Sequence, residues 1–268
     1  MAEPKFFQPH RFRSSAAFYL PGRTAYAPRL IRLVARLTAL EPKHRVLDLG
    51  CGPGMLAGAF APLVAEVVGV DPEPEMLRIA EAEFGSKQNI CFVRGSSFDL
   101  TPALGRFHLV TMGRSFHWMD RAETLKVLDE MIDLDGAVAL FDSTHAATVP
   151  DNAWHAAYSA LVRSYAVGDT EHARTRGPDW VRHEAFLLDS AFCQLDEVAV
   201  IERRHVTVER LIDRAFSRSS TSPDRLGDAV PKLAAEIEAL LRPLAKDGVL
   251  PEVVMTTALL GRRPGAAV

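Results

Sequence analysis

The residues with the clearest chemical potential are glycines and aspartates in the first third of the chain. Residues 48–54 read Asp-Leu-Gly-Cys-Gly-Pro-Gly, directly after a short apolar stretch. Glycine lets the backbone turn tightly and come close to a ligand. A second acid, Asp71, ends the next apolar stretch about twenty residues further on, where a carboxylate can accept ribose hydroxyl groups. The pattern predicts a nucleoside-binding site at the ends of two neighbouring strands.

The spacing of the glycines separates two kinds of nucleotide site. A dinucleotide-binding turn has the pattern G-x-G-x-x-G and places a pyrophosphate at a helix N-terminus. This chain has G-x-G-x-G, preceded by the acidic Asp48, which would repel a pyrophosphate. An acid there suits a ligand that carries a positive ammonium and a sulfonium. We therefore favour such a ligand over a nicotinamide dinucleotide.

Alternating strands and helices position this turn. Helical patterns cover 55–64, 75–84 and 121–132, with Asp120 and Glu123 as a capping box for the last. We also expect Thr101, Thr207 and Ser222 to cap helices, two of them just before a proline. Regular alternation predicts a doubly wound α/β fold with a parallel sheet. The predicted strands are 46–49, 67–70, 90–93, 109–112, 137–141, 195–201 and 253–260.

The chain divides into four segments of one predicted domain, 1–268. A helical preamble covers 1–44, a cofactor-binding core 45–145, a helical insertion 146–192, and C-terminal strands and helices 193–268. The insertion lies where a lid over the site would be. It holds Trp154, Tyr158 and Tyr165 at helical spacing, which indicates either a pocket wall or simply a core.

Composition excludes several classes of protein. The chain has 268 residues, 48% of them hydrophobic, and a net charge of −3, so a broad nucleic-acid surface is not expected. No apolar run approaches the roughly 20 residues of a membrane helix. The three cysteines form neither a disulfide framework nor a zinc pattern. These features predict a cytoplasmic protein, monomeric or homodimeric, without a metal, a membrane or a nucleic-acid partner.

Two motifs carry a resemblance to a known family. Residues 46–54 resemble the first motif of class I S-adenosylmethionine-dependent methyltransferases, and residues 115–120, Ser-Phe-His-Trp-Met-Asp, resemble the small-molecule, type 11-like group with a His-Trp pair after strand four. The resemblance implies a Rossmann-like, seven-stranded, mostly parallel sheet, with a helical lid inserted between strands five and six. It also implies S-adenosylmethionine as cofactor and a small molecule as methyl acceptor.

The resemblance also assigns residues to parts of the cofactor. The glycines would lie under its methionine portion, Asp48 would orient its amino group, and Asp71 would hold its ribose. Arg23 would pair with its carboxylate, as in the arginine-tyrosine segment of related enzymes. The remaining cofactor contacts that it implies are Pro72, Met76, Ser96, Ser97, Phe98, Met112 and Trp118; the glycines are Gly50, Gly52 and Gly54.

Two histidines are candidate catalytic residues. His117 follows strand four and His145 follows strand five, both at the edge where the cofactor should lie. Histidine has the pKa expected of a general base near neutral pH, but methyl transfer needs a base only if the acceptor must lose a proton. His117 could equally hold the cofactor. His145 could equally have a capping or loop role.

The chemistry of the acceptor stays open, with oxygen, nitrogen and carbon all possible. The signature of amino-group methylation, Asn/Asp-Pro-Pro-aromatic, is absent after strand four, where residues 112–115 read Met-Gly-Arg-Ser. Three arginines in 174–183 offer an anionic site or a solvated loop. Alternatives to the small-molecule enzyme are a methyltransferase of tRNA or protein, a cofactor-binding protein without catalysis, and a nicotinamide-dependent dehydrogenase.

Overall fold

A seven-stranded sheet is the centre of the computed structural model, which describes residues 12–146, 148–166 and 180–265. Its strands, numbered along the chain, are β1 Arg45–Leu49, β2 Glu66–Asp71, β3 Ile90–Arg94, β4 Phe107–Gly113, β5 Ile132–His145, β6 Gln194–Thr207 and β7 Val249–Arg262. They pair in the order β3-β2-β1-β4-β5-β7-β6. The first five pair in parallel, and β7 runs antiparallel to both β5 and β6. The predicted α/β, Rossmann-like and mostly parallel sheet is confirmed.

Helices flank the sheet on both faces. In the described residues the α-helices are α1 Tyr19–Gly22, α2 Pro28–Leu37, α3 Met55–Phe60, α4 Pro74–Phe84, α5 Arg121–Met131, α6 His155–Ser164, α7 His183–Leu188, α8 Val208–Phe216, α9 Pro223–Leu226 and α10 Val230–Leu241. Short 3₁₀ turns occur at Ala16–Phe18, Ala61–Leu63, Pro102–Leu104, Phe116–Trp118, Pro150–Asn152, Ser219–Thr221, Gly227–Ala229 and Arg242–Leu244. None of the helices in this part of the chain is both long and apolar enough to cross a membrane.

The strands are apolar on both faces because both faces are covered. Val46 and Leu109 pack on one face with α2 and α3, whereas their neighbours Leu47 and Val110 pack on the other face with α5 and α7. Successive side chains of a strand point to opposite sides, so a doubly covered strand has no polar alternation. This is why the strands read as continuous apolar runs in the sequence.

A third apolar core lies outside the two sheet faces. It joins α6, from the predicted insertion, to α8 and α10 of the C-terminal segment. Trp154 and Tyr158 are buried in it, and each donates a hydrogen bond to a backbone carbonyl, of Pro251 and Leu211 respectively, at 2.8 Å. These two aromatic residues therefore belong to a core and not to a pocket wall.

The termini of several elements differ from the prediction. The strands β6 and β7 and the C-terminal end of β5 are longer than expected because the antiparallel pairing of β7 with both neighbours continues there. The β5 strand also begins earlier, because Ile132 pairs in parallel with Phe107 of β4. The side chains of Asp120 and Thr207 cap α5 and α8 as predicted. Thr101 and Ser222 precede their prolines but make no side-chain cap, because only a short 3₁₀ turn or a single helical turn follows.

The preamble is fastened to the C-terminal segment. Arg214, on α8, donates from Nε to the carbonyl oxygen of Gly22 at 3.0 Å, and Arg210 donates to that of Pro21 at 2.9 Å. Gly22 permits this close approach, since a Cβ there would lie 2.5 Å from the backbone nitrogen of Arg214. The end of α1 is therefore fixed in position above the edge of the sheet.

Candidate active site

The glycine turn follows β1 in the conformation that its sequence predicts. Gly50, Gly52 and Gly54 all have positive φ, at 68°, 53° and 81°. A Cβ on Gly50 would lie 2.5 Å from the Cβ of Ser115, whereas one on Gly52 would meet nothing within 4 Å. Gly50 is thus required by packing, and Gly52 leaves open space for a ligand. Gly54 instead packs under Phe84 and Phe92, so it shapes the turn without lining a cavity.

A cavity of about 310 Å³, called here the first cavity, lies at the carboxyl ends of β1 to β4. It is bounded by the strand ends Leu49, Asp71, Arg94 and Gly113. Nine of the predicted cofactor-binding residues line it: Gly50, Gly52, Asp71, Pro72, Met76, Ser96, Ser97, Phe98 and Trp118. This is the edge at which ligands bind in open parallel sheets.

Asp71 presents a buried carboxylate to the first cavity. Its Oδ2 accepts a hydrogen bond from the backbone N–H of Gly52 at 2.8 Å, and its Oδ1 accepts one from that of Glu73 at 2.9 Å. Burial raises the pKa of Asp71 to about 6, although these two hydrogen bonds oppose the rise. Each oxygen keeps a second lone pair that can accept from a ribose hydroxyl group.

Asp48 lies deeper and does not line the first cavity. It is 1% exposed, and its oxygens accept from the backbone N–H of Ala57 at 3.0 Å and from the Thr111 hydroxyl at 2.9 Å. Burial raises the pKa of Asp48 to about 7 against these hydrogen bonds. It borders only a small space of about 20 Å³ behind the glycine turn. Its predicted contact with an amino group stays a prediction, and water would have to mediate it.

A second cavity, of about 660 Å³, adjoins the first. The two share the residues Phe12, Tyr19, Arg114 and Trp118 in their walls. His117 and Arg23 line this second cavity and not the first. A ligand confined to the first cavity would therefore not contact Arg23, and the predicted contact of Arg23 with the cofactor carboxylate stays a prediction. Burial lowers the pKa of Arg23 to about 10. Tyr19 opposes this decrease, and the charges of Arg114 and Arg218 add to it.

Two further predicted residues lie elsewhere. Met112 is 1% exposed and packs in the core, because its side chain points to the face covered by α5. His145 lines neither cavity; its Nε2 lies 3.1 Å from Glu252 Oε2 and 3.2 Å from Arg214 Nη1. The structure thus places His145 in a charged network with Glu252 and Arg214, and its catalytic role stays a prediction. Arg174 and Arg176 lie outside the described residues.

Arg114 is the residue of the site that the sequence pattern did not single out. It follows β4 directly, has a positive φ of 57°, and lines both cavities and the small space beside Asp48. Its Cζ lies 5.2 Å from the ring centroid of Tyr26, and its Nη1 donates to the Ser143 hydroxyl at 3.3 Å. A side chain in the left-handed region costs about 1–2 kcal/mol, and such strain concentrates at functional sites.

A comparison with protein families identifies the core of the chain. Residues 46–134 match the family model described as "Methyltransferase domain". The chain carries a class I methyltransferase domain. The resemblance predicted from the glycine turn is confirmed. Within the described residues, no group of three or more His, Cys, Asp or Glu side chains could hold a metal ion.

Two curated proteins and one solved structure are similar to this chain. The uncharacterized methyltransferase YcgJ of Bacillus subtilis is 28% identical over 49% of this chain and 53% of its own length. The malonyl-[acyl-carrier protein] O-methyltransferase of Pseudescherichia vulneris is 28% identical over 66% of this chain and 72% of its own. The crystal structure of an S-adenosylmethionine-dependent methyltransferase from Geobacter sulfurreducens, in complex with S-adenosyl-L-homocysteine, covers 96% of this chain and 100% of its own, with a TM-score of 0.51 and 17% identity. The chain spans about half the length of YcgJ and of most curated relatives that it matches.

Proposed function

We propose that this protein transfers a methyl group from S-adenosylmethionine, bound in the first cavity, to a small molecule bound in the second. The observation that carries the proposal is the shared wall. Arg114 and Trp118 border both cavities, so two ligands would meet there. A binding site of this kind needs no covalent help from the protein, only alignment and exclusion of water.

The first cavity carries chemical groups that suit S-adenosylmethionine. Gly52 leaves a backbone surface that no Cβ covers, Asp71 offers a buried carboxylate for the ribose, and the side chains of Met76 and Phe98 offer apolar surface for the adenine. When bound, the cofactor supplies a methyl group on a positively charged sulfur. In the Geobacter sulfurreducens relative the product form of this cofactor is bound, which supports the assignment.

We propose that His117 acts at the acceptor. It lines the second cavity, and its ring centroid lies 5.0 Å from that of Trp118 in the shared wall. It therefore takes a proton from an acceptor that must lose one, or orients an acceptor that need not. Oxygen is the first acceptor atom to test, because the Pseudescherichia vulneris relative is named an O-methyltransferase.

The experiment is a calorimetric titration with S-adenosylmethionine, S-adenosylhomocysteine and NAD. We expect micromolar binding of the two sulfur nucleotides, loss of that binding in Asp71→Ala, and no change in Asp228→Ala, which removes an exposed carboxylate outside both cavities. Binding of NAD alone would contradict the proposal and favour a dehydrogenase. Binding of S-adenosylmethionine without methyl transfer to any acceptor, small molecule, protein or tRNA, would favour a protein that has lost catalysis.

A further inference from the structure

We infer that the second cavity binds a small organic acid with two or more carboxylates, one of which is the methyl acceptor; this inference rests on the proposed function. The wall of the cavity combines guanidinium groups from separate parts of the chain: the end of α1, the turn after β4, the last turn of α6, the approach to α7 and the turn after α8. These groups are Arg23, Arg114, Arg163, Arg182 and Arg218.

The charges of this wall do not balance. Of the described residues, only Asp142 and Glu184 supply carboxylates to it, and Glu184 is already paired with Arg182. Among the described residues, none of the other four arginines forms an ion pair, so four guanidinium groups face one carboxylate. Burial and the charge of Arg121 lower the pKa of His183 to about 4, so that ring is neutral at pH 7 and adds no charge to the wall. An anion with several charges would balance the cavity.

Two of the four arginines also have unused hydrogen-bonding capacity. A guanidinium group has five N–H donors. Arg23 donates one of them to the carbonyl oxygen of Ser217 at 3.0 Å. Arg114 donates from Nη1 to the Ser143 hydroxyl group, and its Nη2 lies 4.0 Å from the sulfur of Met55. The Nε of each is buried without an acceptor. Holding cations in this state costs free energy, which a bidentate carboxylate would offset.

A carboxylate acceptor also agrees with the chemistry that the wall can support. At neutral pH the carboxylate is ionised, so one of its oxygens can form a bond to the methyl carbon while the bond from that carbon to sulfur breaks. The bonding electron pair goes to sulfur, the positive and negative charges cancel, and the products are a methyl ester and neutral S-adenosylhomocysteine. No proton moves, so the weakly basic His183 is no obstacle. The remaining carboxylates would stay bound to the guanidinium groups of Arg163 and Arg218.

The test measures binding separately from turnover. Protein saturated with S-adenosylhomocysteine is titrated calorimetrically with tricarballylate, with its uncharged triamide, and with glycerol 3-phosphate. The variants are Arg163→Gln and Arg218→Gln, which remove charges from the second cavity only. The control is Arg32→Gln, which removes the same charge from the exposed face of α2. The affinity for S-adenosylhomocysteine is measured for each variant in the same experiment.

We expect tricarballylate to bind, the triamide not to bind, and each cavity variant to weaken tricarballylate roughly tenfold while the control and the nucleotide affinity stay unchanged. Mass spectrometry with S-adenosylmethionine and a panel of di- and tricarboxylates should then show a methyl ester. Tighter binding of the triamide or of glycerol 3-phosphate would overturn the inference, as would equal losses in Arg32→Gln. Failure of S-adenosylhomocysteine itself to bind would instead refute the proposed function.

Discussion

Asp99 accepts two hydrogen bonds from Ser96, one from its backbone N–H at 2.8 Å and one from its hydroxyl group at 2.7 Å. The proton of the Ser96 hydroxyl is therefore donated to Asp99, and one lone pair of that oxygen accepts from the Phe98 N–H at 3.3 Å. The other lone pair remains for a donor in the first cavity. In the methyltransferase family that residues 46–54 resemble, the common pattern after strand three has an acid directly after a glycine, whereas this chain has Gly95 followed by Ser96. Asp99 restores a carboxylate to this position through the serine.

The first prediction concerns this pair. Asp99→Ala should weaken S-adenosylmethionine binding about fivefold, because a serine without its carboxylate partner is a poorer acceptor for an adenine amino group and net hydrogen bonds are worth about 1 kcal/mol. Ser96→Ala should have an equal or larger effect, and Asp228→Ala none. Calorimetric titration checks the order. Unchanged affinity in both Asp99→Ala and Ser96→Ala would show that this loop does not contact the cofactor.

The second prediction separates two glycines of the same turn. Gly50→Ala should destabilise the protein by about 3 kcal/mol or more, because the positive φ and the 2.5 Å approach to Ser115 act together. Gly52→Ala should cost only about 1–2 kcal/mol, because only the backbone conformation opposes it, yet it should reduce cofactor affinity by filling the first cavity. Urea unfolding and nucleotide titration measure the two effects. A Gly52→Ala variant with full affinity would contradict the assignment of the cavity.

The third prediction concerns the pH dependence of stability without ligand. The pKa of Asp48 is about 7 in the folded protein and 3.8 ordinarily, so the folded state binds the proton more tightly than the unfolded state. Stability from this group is therefore present below pH 4 and is lost as the pH rises through 7, by at most about 4 kcal/mol. Asp71, with a pKa of about 6, acts in the same direction.

Asp48→Asn provides the control for that dependence. Asparagine can accept from the Ala57 N–H and donate to the Thr111 hydroxyl, so it keeps both hydrogen bonds of Asp48 without the charge. We expect the free energy of unfolding to fall less between pH 5 and 8 in Asp48→Asn than in the wild type. Parallel profiles for the two proteins would show that Asp48 does not titrate in this range.

Local sequence was sufficient for the parts of the site that lie close together along the chain. Gly50, Gly52 and Asp71 were predictable because the turn and the strand end fix them through their own backbone conformation and through parallel pairing of β1 with β2. The apolar pattern predicted all seven strands, and the resemblance to a family implied the same number. The ends of β6 and β7 were not predictable, because antiparallel pairing between distant segments determines them.

The second cavity could not be predicted from the sequence, because its residues meet only in the folded chain. Arg163 and Arg218 stand in ordinary helical and turn contexts, and nothing local distinguishes them from solvated arginines. Arg114 had one signal, its place directly after β4, but its positive φ is visible only in the structure. His145 was also predicted to follow a strand directly, β5 in its case. It lies in a different environment because β5 continues to pair with β7 as far as His145, past the edge of the cavity.

The fourth prediction tests the role of His145. Burial would raise the pKa of Glu252, but the hydrogen bond with His145 and the charge of Arg214 outweigh it and lower that pKa to about 2. Glu252→Gln should cost about 3–5 kcal/mol, because it leaves the Arg214 charge buried without a partner. The stability that the carboxylate contributes is present above pH 4.5, its ordinary pKa, and is lost as the pH falls toward 2.

His145→Gln should lower the free energy of unfolding by about 1 kcal/mol while leaving the turnover number within about threefold of the wild type. The turnover number at saturating cofactor and the free energy of chemical unfolding are measured for both proteins. Together they distinguish a structural role of His145 from a catalytic one. A loss of turnover on the order of a hundredfold, with cofactor affinity unchanged, would return His145 to the active site as a base.

The fastening of α1 to α8 has a consequence for how such a protein can diverge. Most of the first cavity's wall comes from residues 49–119, whereas Arg23, Arg163 and Arg218 of the second come from segments before and after that stretch. Mutations that reshape the outer segments can therefore change the acceptor while the nucleotide site is inherited intact. The contacts from Arg210 and Arg214 to the α1 backbone keep those two outer segments evolving as a unit, since a shift in either would displace the other.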